Sequence, residues 1–139
     1  MNVALILNMD TGMMKVMEKI RESAFSMGVS ISEIYPVTRA IDIPMAVRKL
    51  GERADVDSMM IIADFPEIKM EHEKPLFERI RSEVESISME VKKEVSMDLF
   101  SMEPEKISDE TIEGALKGLL RNDGENTRKN LNNGAGAGI

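Results

Sequence analysis

Two short stretches decide the fold of this chain: Val3-Ala4-Leu5-Ile6-Leu7 and Met59-Met60-Ile61-Ile62-Ala63. Neither stretch contains a charged or hydrogen-bonding side chain. Short runs that are apolar at every position are typical of strands that are buried on both faces. Such strands occur mostly in parallel sheets that helices cover on both sides. We therefore expect both stretches to be strands of a covered parallel sheet.

Elsewhere in the chain, apolar residues recur at the three- and four-residue spacing of amphipathic helices. The predicted helical stripes run from Met13 to Met27, from Ile43 to Ala54, from Leu76 to Ile87 and from Ile112 to Leu120. Two more strands are expected, one over residues 29–37 that ends near Pro36 and one within residues 91–100. Four strands that alternate with four helices predict a three-layer α/β domain with a four-stranded parallel sheet and helices on both faces.

The ends of the first two helices carry recognisable signals. Gly28 follows the first stripe, and glycine is common where a helix ends in the left-handed conformation. Asp42 precedes the second stripe, and Pro44 lies in its first turn. We therefore predict that the side chain of Asp42 caps the second helix.

The folded domain is expected to cover residues 1–121. Residues 122–139 contain four of the nine glycines and five asparagines, and they bury too little apolar surface to offset the entropy of ordering. We predict a disordered tail there. The tail contains two acidic and two basic residues, so the formal net charge of −7 belongs to residues 1–121.

Composition excludes several classes of site. The chain has no cysteine, which excludes disulfide scaffolds, thiol nucleophiles and cysteine-bound zinc, and its single histidine excludes HExxH and multi-histidine metal sites. The net charge of −7 argues against nucleic acid as a partner. The cysteine and histidine counts lead us to expect no metal site. Because no apolar run approaches the ~18 residues of a membrane span and no signal peptide is recognisable, we expect a cytoplasmic protein.

The loops that follow the strands are the expected place for a ligand, because doubly wound sheets bind ligands beyond the carboxyl ends of their strands. These loops cover residues 8–12, 36–42, 64–73 and 101–108. Their polar residues include Asn8, Asp10, Arg39, Asp42, Asp64, Lys69, His72 and Glu73. The first loop has one glycine, and the chain has no Gly-Lys-Ser/Thr phosphate loop, so the two common nucleotide-binding motifs are disfavoured.

Three of these loop residues have both a chemical and a structural interpretation. His72 is the only side chain whose ordinary pKa lies near neutrality, so it is either a proton carrier or a solvated residue beside a helix start. Arg39 stands alone among apolar neighbours and suits an anion, although a solvated surface arginine fits as well. Asp64 follows a strand, and its carboxylate suits a metal ligand or a phosphoryl acceptor; the structural interpretation is an acidic loop residue without a chemical role.

The segment Ile41-Asp42-Ile43-Pro44-Met45-Ala46-Val47-Arg48-Lys49-Leu50 resembles a segment of the lumazine synthases, enzymes of riboflavin biosynthesis. The similarity continues without a gap to Met70-Glu71-His72-Glu73. It implies a flavodoxin-like four-stranded sheet, a transferase that works without a cofactor, and a homo-oligomer, such as a pentamer, with sites shared between subunits.

The resemblance also implies a reaction and a set of site residues. The family condenses 5-amino-6-ribitylaminouracil with dihydroxybutanone phosphate to form 6,7-dimethyl-8-ribityllumazine, and His72 falls where it keeps a proton-transferring histidine. Asn8 or Met9 stands where the family has an aromatic that stacks on the heterocycle, and Arg39 or Lys69 would contact the phosphate. The residues thus expected to bind substrate are Asn8, Met9, Arg39, Ile41, Asp42 and Lys69.

Two departures keep other functions open. Ile68 and Met70 occupy the positions of the glycine and threonine with which lumazine synthases bind the substrate phosphate. Near the start of the last helix, where that family has a basic residue that also binds phosphate, this chain has Asp109-Glu110. Archaeal riboflavin synthases share a similar D-L-P-x-A segment and handle no phosphate, but their A-H-E motif falls near Glu78, where this chain has no histidine.

A third class of function is not enzymatic. The chain is then either a homologue with a degenerate site or a receiver-like module phosphorylated on Asp64. Receivers have an acidic pair after the first strand, where this chain has only Asp10, and a fifth strand–helix unit beyond the four expected here.

Overall fold

A computed structural model describes residues 1–8, 11–65 and 74–121. These residues form a parallel four-stranded sheet in the order β2-β1-β3-β4, with helices packed on both faces. The strands are β1 (Asn2–Leu7), β2 (Ser30–Pro36), β3 (Ser58–Ile62) and β4 (Val95–Ser96), and the helices are α1 (Thr11–Ser26), α2 (Ile43–Gly51), α3 (Lys74–Val91) and α4 (109–121). The three-layer, flavodoxin-like α/β fold that we expected is confirmed.

The two apolar stretches form the centre of the sheet, as β1 and β3. They pair in parallel from Val3 opposite Ser58 to Leu7 opposite Ile62, and every residue from Val3 to Leu7 and from Ser58 to Ile62 is buried. Burial of both faces explains why neither stretch alternates between apolar and polar residues.

Side chains from alternate positions of these strands build two separate cores. Ala4 and Ile6 point to the face covered by α2 and α3, whereas Leu5 and Leu7 point to the face covered by α1 and α4. Because strand residues alternate between faces, one continuous apolar run supplies both cores. Among the described residues, no helix is long and apolar enough to cross a membrane.

The fourth strand is much shorter than the stretch from which it was expected. Only Val95 and Ser96 pair with β3, and α3 extends through Val91, the first residue of that stretch. Helix α3 ends at Val91, and the next residue, Lys92, has a left-handed φ of 59°. The chain turns again where the amide of Phe100 donates to the carbonyl of Met97. These two turns leave little room for a longer strand.

Strand β2 lies at an edge of the sheet and carries an extra residue. Ile31 pairs with Val3 and Glu33 with Ala4, so Ser32 is a bulge between them. The strand ends at Pro36, as expected. The first helix also ends as expected, since Gly28 adopts a φ of +72°.

Candidate functional site

The candidate site lies at the carboxyl ends of β1 and β3. In the sheet, β2 lies beside β1 on one side of the central pair and β4 lies beside β3 on the other, so the chain connections after β1 and β3 run in opposite directions. This divergence creates a crevice between the two central strands, which is the usual ligand position in such sheets. Asn8 and Asp64 are the polar residues that follow the two strands closely, and both are half-buried.

The side chain of Asn8 joins the ends of these two strands. Its Oδ1 accepts a hydrogen bond of 3.0 Å from the amide nitrogen of Asp64, and its Nδ2 donates one of 3.1 Å to the carbonyl oxygen of Asp64. One planar carboxamide thus bonds both backbone groups of a single residue. Sequence reasoning placed Asn8 in a ligand loop but did not foresee this pairing.

The end of β3 is also held from the side of β4. The amide of Ser101 donates to the carbonyl oxygen of Ala63 at 2.7 Å, and the ring of Phe65 is buried in the core beneath α2 and α3. Ser101 has a left-handed φ of 68°, and nothing in its sequence context signals this role. Residues 63–65 therefore leave the sheet in a direction that is fixed on both sides.

Arg39 and Asp42 form an ion pair on the connection between β2 and α2. Arg39 Nε lies 3.0 Å from Asp42 Oδ2, and Nη2 lies 3.1 Å from Oδ1. The hydrogen bonds and charge of Asp42 raise the pKa of the Arg39 guanidinium above its ordinary value. Arg39, whose neighbours in the sequence are uncharged, thus has a charged partner three residues away.

The capping role predicted for Asp42 is also wrong. Asp42 occupies the cap position of α2, but its backbone is helical and its side chain makes no capping hydrogen bond. Because its carboxylate bonds the guanidinium three residues earlier, it is turned away from the helix amides that a cap would reach.

A shallow cavity of about 190 Å³ lies beside this ion pair. It is lined by Tyr35, Pro36, Val37, Thr38, Asp42, Met45 and Ala46. Met45, which lines the cavity, is 62% exposed, and Ile41, next to Asp42 in the sequence, is 58% exposed, which is high for large apolar side chains. The cavity is smaller than the roughly 300–1,000 Å³ of ordinary ligand sites, so these residues account for only part of one.

The structure brings together some of the predicted site residues and leaves others outside its description. Arg39, Ile41 and Asp42 lie on one connection, and Asn8 lies at the end of β1. Met9, Lys69 and His72 fall outside the described residues, so their roles remain predictions. Within residues 1–8, 11–65 and 74–121, no group of three or more acidic or histidine side chains is arranged to hold a metal ion.

Several relatives that share part of this sequence carry the same name. Proteins named 6,7-dimethyl-8-ribityllumazine synthase match this chain at 27% identity over 77 residues in Methanosarcina mazei, 28% over 90 residues in Picrophilus torridus and 31% over 87 residues in Archaeoglobus fulgidus. The matches cover 55%, 65% and 63% of this chain.

The matches are partial on the relatives' side as well. They span 58%, 65% and 59% of the three relatives in the same order, so this chain matches about three fifths of their length. No protein-family model matches the chain. The chain is thus distantly similar to proteins named lumazine synthases over part of its length.

Proposed function

We propose that this protein is a cofactor-free enzyme of riboflavin biosynthesis that forms 6,7-dimethyl-8-ribityllumazine from 5-amino-6-ribitylaminouracil and dihydroxybutanone phosphate. One observation carries the proposal. The segment Ile41–Leu50, on which the resemblance rests, forms nearly all of α2, and its Asp42, Met45 and Ala46 line the cavity that follows the end of β2. Loops that follow the carboxyl ends of strands are where sheets of this topology bind ligands, and this supports the proposal.

The proposed chemistry depends mainly on holding two substrates together. Orientation of two reactants can lower a barrier by roughly 7–11 kcal/mol in favourable cases. The exposed side chains of Ile41 and Met45 offer an apolar surface for the flat heterocycle, and the carboxylate of Asp42 is an acceptor for its N–H groups. Met9 is a further candidate contact from the first loop.

The phosphate contact is assigned to Arg39 and Lys69. Arg39 uses two of its five donors on Asp42, and three remain for a phosphate. The guanidinium lies at the surface, with 69% of its side chain exposed, so a ligand can reach it. Lys69 lies three residues before His72 in the part of the sequence that follows β3.

His72 is the proposed proton carrier. An imidazole with an ordinary pKa near neutrality both accepts and donates protons at physiological pH, and such a group contributes on the order of 10²–10⁴-fold to a rate. We therefore expect His72→Ala to lower the rate of lumazine formation by about that factor. The rate is read from the absorbance and fluorescence of the product.

A matched control for this experiment is Glu78→Ala, because Glu78 is an exposed residue of the helix that follows. It should retain the parent rate, and both variants should keep the parent's elution volume in size-exclusion chromatography, where a homo-oligomer is expected. Full activity in His72→Ala rejects the role of His72.

The replacement of the family's phosphate ligands by Ile68 and Met70 favours a second candidate, a riboflavin synthase that converts two lumazine molecules. The two functions separate when lumazine is the only substrate supplied. Riboflavin then accumulates only with a riboflavin synthase. A protein that yields neither product but binds lumazine would be a homologue without catalysis.

A further inference from the structure

A second cavity, of about 250 Å³, lies between the edge strand β4 and helix α4 and shares no residue with the candidate site. This edge cavity is lined by residues 94–98 and by the second half of α4. At two of its positions the helix has its smallest residues, Ala115 and Gly118, and a Cβ added to Gly118 would meet no atom within 4 Å. Strand and helix therefore leave a space that the described side chains do not fill.

A buried hydroxyl group at the edge cavity lacks a partner. Val95 and Met97 pack against the core covered by α2 and α3, so Ser96 between them points to the opposite face of the sheet, toward α4. Ser96 is only 9% exposed, and among the described residues its Oγ has no hydrogen-bond partner. Because buried hydroxyl groups are normally hydrogen-bonded, the partner of this one has to come from the cavity.

The edge cavity is larger than a single bound water requires. One water occupies roughly 30 Å³ of the liquid, so the 250 Å³ of this cavity correspond to about eight waters. Sites for drug-sized ligands begin at roughly 300 Å³. The volume therefore suits an organic molecule of a few heavy atoms.

Charged groups of both signs line the edge cavity around Ser96. Glu94 and Asp98, two residues before and after Ser96, carry carboxylates, and Arg121, at the end of α4, carries a guanidinium. None of these three residues forms an ion pair with another residue in the described part of the chain. A purely anionic ligand would meet two carboxylates, and a purely cationic one would meet the guanidinium. A ligand with both charges offers a partner to each group.

We propose that the edge cavity binds a small zwitterion, a molecule that carries both a protonated amine and a carboxylate. The ammonium group of the ligand, which has three donors and no acceptor, lies toward the Ser96 hydroxyl and the carboxylates of Glu94 and Asp98. The carboxylate of the ligand lies toward Arg121, because a planar guanidinium matches a carboxylate with two parallel hydrogen bonds. This site is separate from the proposed catalytic function and does not depend on it.

The test ligands are glycine, β-alanine and γ-aminobutyrate, which carry the same two charges at three separations. Ethylamine and propionate carry one of the two charges each. The backbone amide resonances of Ser96 and Gly118, followed by NMR during titration at constant ionic strength, report binding. We expect saturable shifts with at least one zwitterion at millimolar concentration, and binding of either single-charge compound that is weaker by about 10-fold or more. The proposal is wrong if no zwitterion gives saturable shifts, or if a single-charge compound binds as well as the best zwitterion.

Two glycine variants show whether the bound ligand lies in the edge cavity. Gly118→Leu places a large side chain in the cavity and should abolish binding of the best zwitterion. Gly114→Leu places the same side chain in open space on the same helix, outside the cavity, and should keep the parent affinity. Parent-like binding in Gly118→Leu overturns the proposal.

A smaller change covers the case in which Gly118→Leu does not fold. Ser96→Ala removes only the buried hydroxyl, and the loss of its hydrogen bond to a charged ligand should weaken binding by about 10-fold. The matched control is Ser86→Ala, since Ser86 is an exposed serine of α3 outside the edge cavity. Equal affinities in the two serine variants would show that Ser96 does not contact the ligand, and the proposal would then be wrong.

Discussion

The contacts that hold the structure together at the amino end of the sheet differ in kind from those at its carboxyl end. Near the amino end, the Arg53 guanidinium donates to the carboxylates of Asp55 and Glu33, and Lys93 Nζ donates to the carbonyl oxygen of Arg53 at 2.6 Å. At the carboxyl end, the neutral side chain of Asn8 bonds the half-buried backbone of Asp64. Exposed charged contacts are screened by water and salt, whereas directed hydrogen bonds between half-buried groups fix an orientation.

Packing differs between the two ends as well. At the end of α2, a Cβ added to Gly51 would lie 2.8 Å from Val91 Cγ2, so α2 and α3 approach closely there. At the start of α2, the shallow cavity beside Asp42 and Met45 leaves apolar surface open. Packing therefore changes along one helix: the end of α2 packs tightly against α3, and its beginning remains accessible.

The largest effect on stability is expected from Gly51→Ala. The new methyl group would overlap the branched side chain of Val91, and overpacking of this kind costs about 1–3 kcal/mol. The better helix propensity of alanine offsets up to about 1 kcal/mol of this. Urea unfolding should show a net loss.

Two matched variants sharpen this prediction. Gly114→Ala, in α4, meets no atom within 4 Å and should stabilise the protein by about 0.5–1 kcal/mol. Gly51→Ala should also cost less in a Val91→Ala background than in the parent. Equal effects of Gly51→Ala and Gly114→Ala would contradict the close approach of the two helices.

A gain in stability is expected when glycine replaces either of two described residues with a left-handed φ, one before and one after β4. Lys92 and Ser101 have φ angles of 59° and 68°, which cost a residue with a Cβ about 1–2 kcal/mol. The greater freedom of glycine in the unfolded chain removes part of the benefit, so Lys92→Gly and Ser101→Gly should each gain about 0.5–1 kcal/mol. Thermal unfolding measures both, and a fall in Tm for either variant would show that its side chain makes an important contact.

A smaller effect, dependent on pH, is expected from Asp55→Asn. The hydrogen bonds from Arg53 lower the pKa of Asp55 below its ordinary 3.8, so its carboxylate stabilises the fold above pH 3.8. This contribution disappears as the pH falls through the lowered pKa. The parent should therefore be more stable than Asp55→Asn at neutral pH, and the difference should shrink as the pH falls below 3.8 and also in salt. Denaturant midpoints across this range test the prediction, and a difference that grows in acid contradicts it.

The smallest effect is expected from Arg39→Gln. Arg39 lies at the surface and its ion pair with Asp42 joins residues of the same turn, so its loss should leave the urea midpoint unchanged. A marked loss of stability would show that the ion pair holds the start of α2 in place.

Most of the fold could be predicted because one property, burial, decides it. Val3–Leu7 and Met59–Ala63 are apolar at every position, and only strands covered on both faces require that. The length of β4 could not be predicted, since the apolar side chains of residues 91–100 suit a helix end and a turn as well as a strand.

The site was less predictable because its contacts join distant positions. Asn8 and Asp64 lie 56 residues apart, and only the register of β1 against β3 brings them together. The pair of Arg39 and Asp42 could have been foreseen, since opposite charges three residues apart often meet in a helical turn. Because aspartate is also a preferred N-cap residue, the sequence favoured a helix cap over this ion pair.

The bulge at Ser32 has a consequence for the behaviour of the protein at high concentration. Exposed edge strands act as templates onto which other chains add, and sheets that extend in this way lead to fibrous aggregates. In β2, the extra residue interrupts the regular spacing of backbone groups, and Pro36 supplies no N–H at the end of the strand. The opposite edge, β4, pairs through two residues only. Both borders of the sheet therefore resist the addition of strands from other molecules.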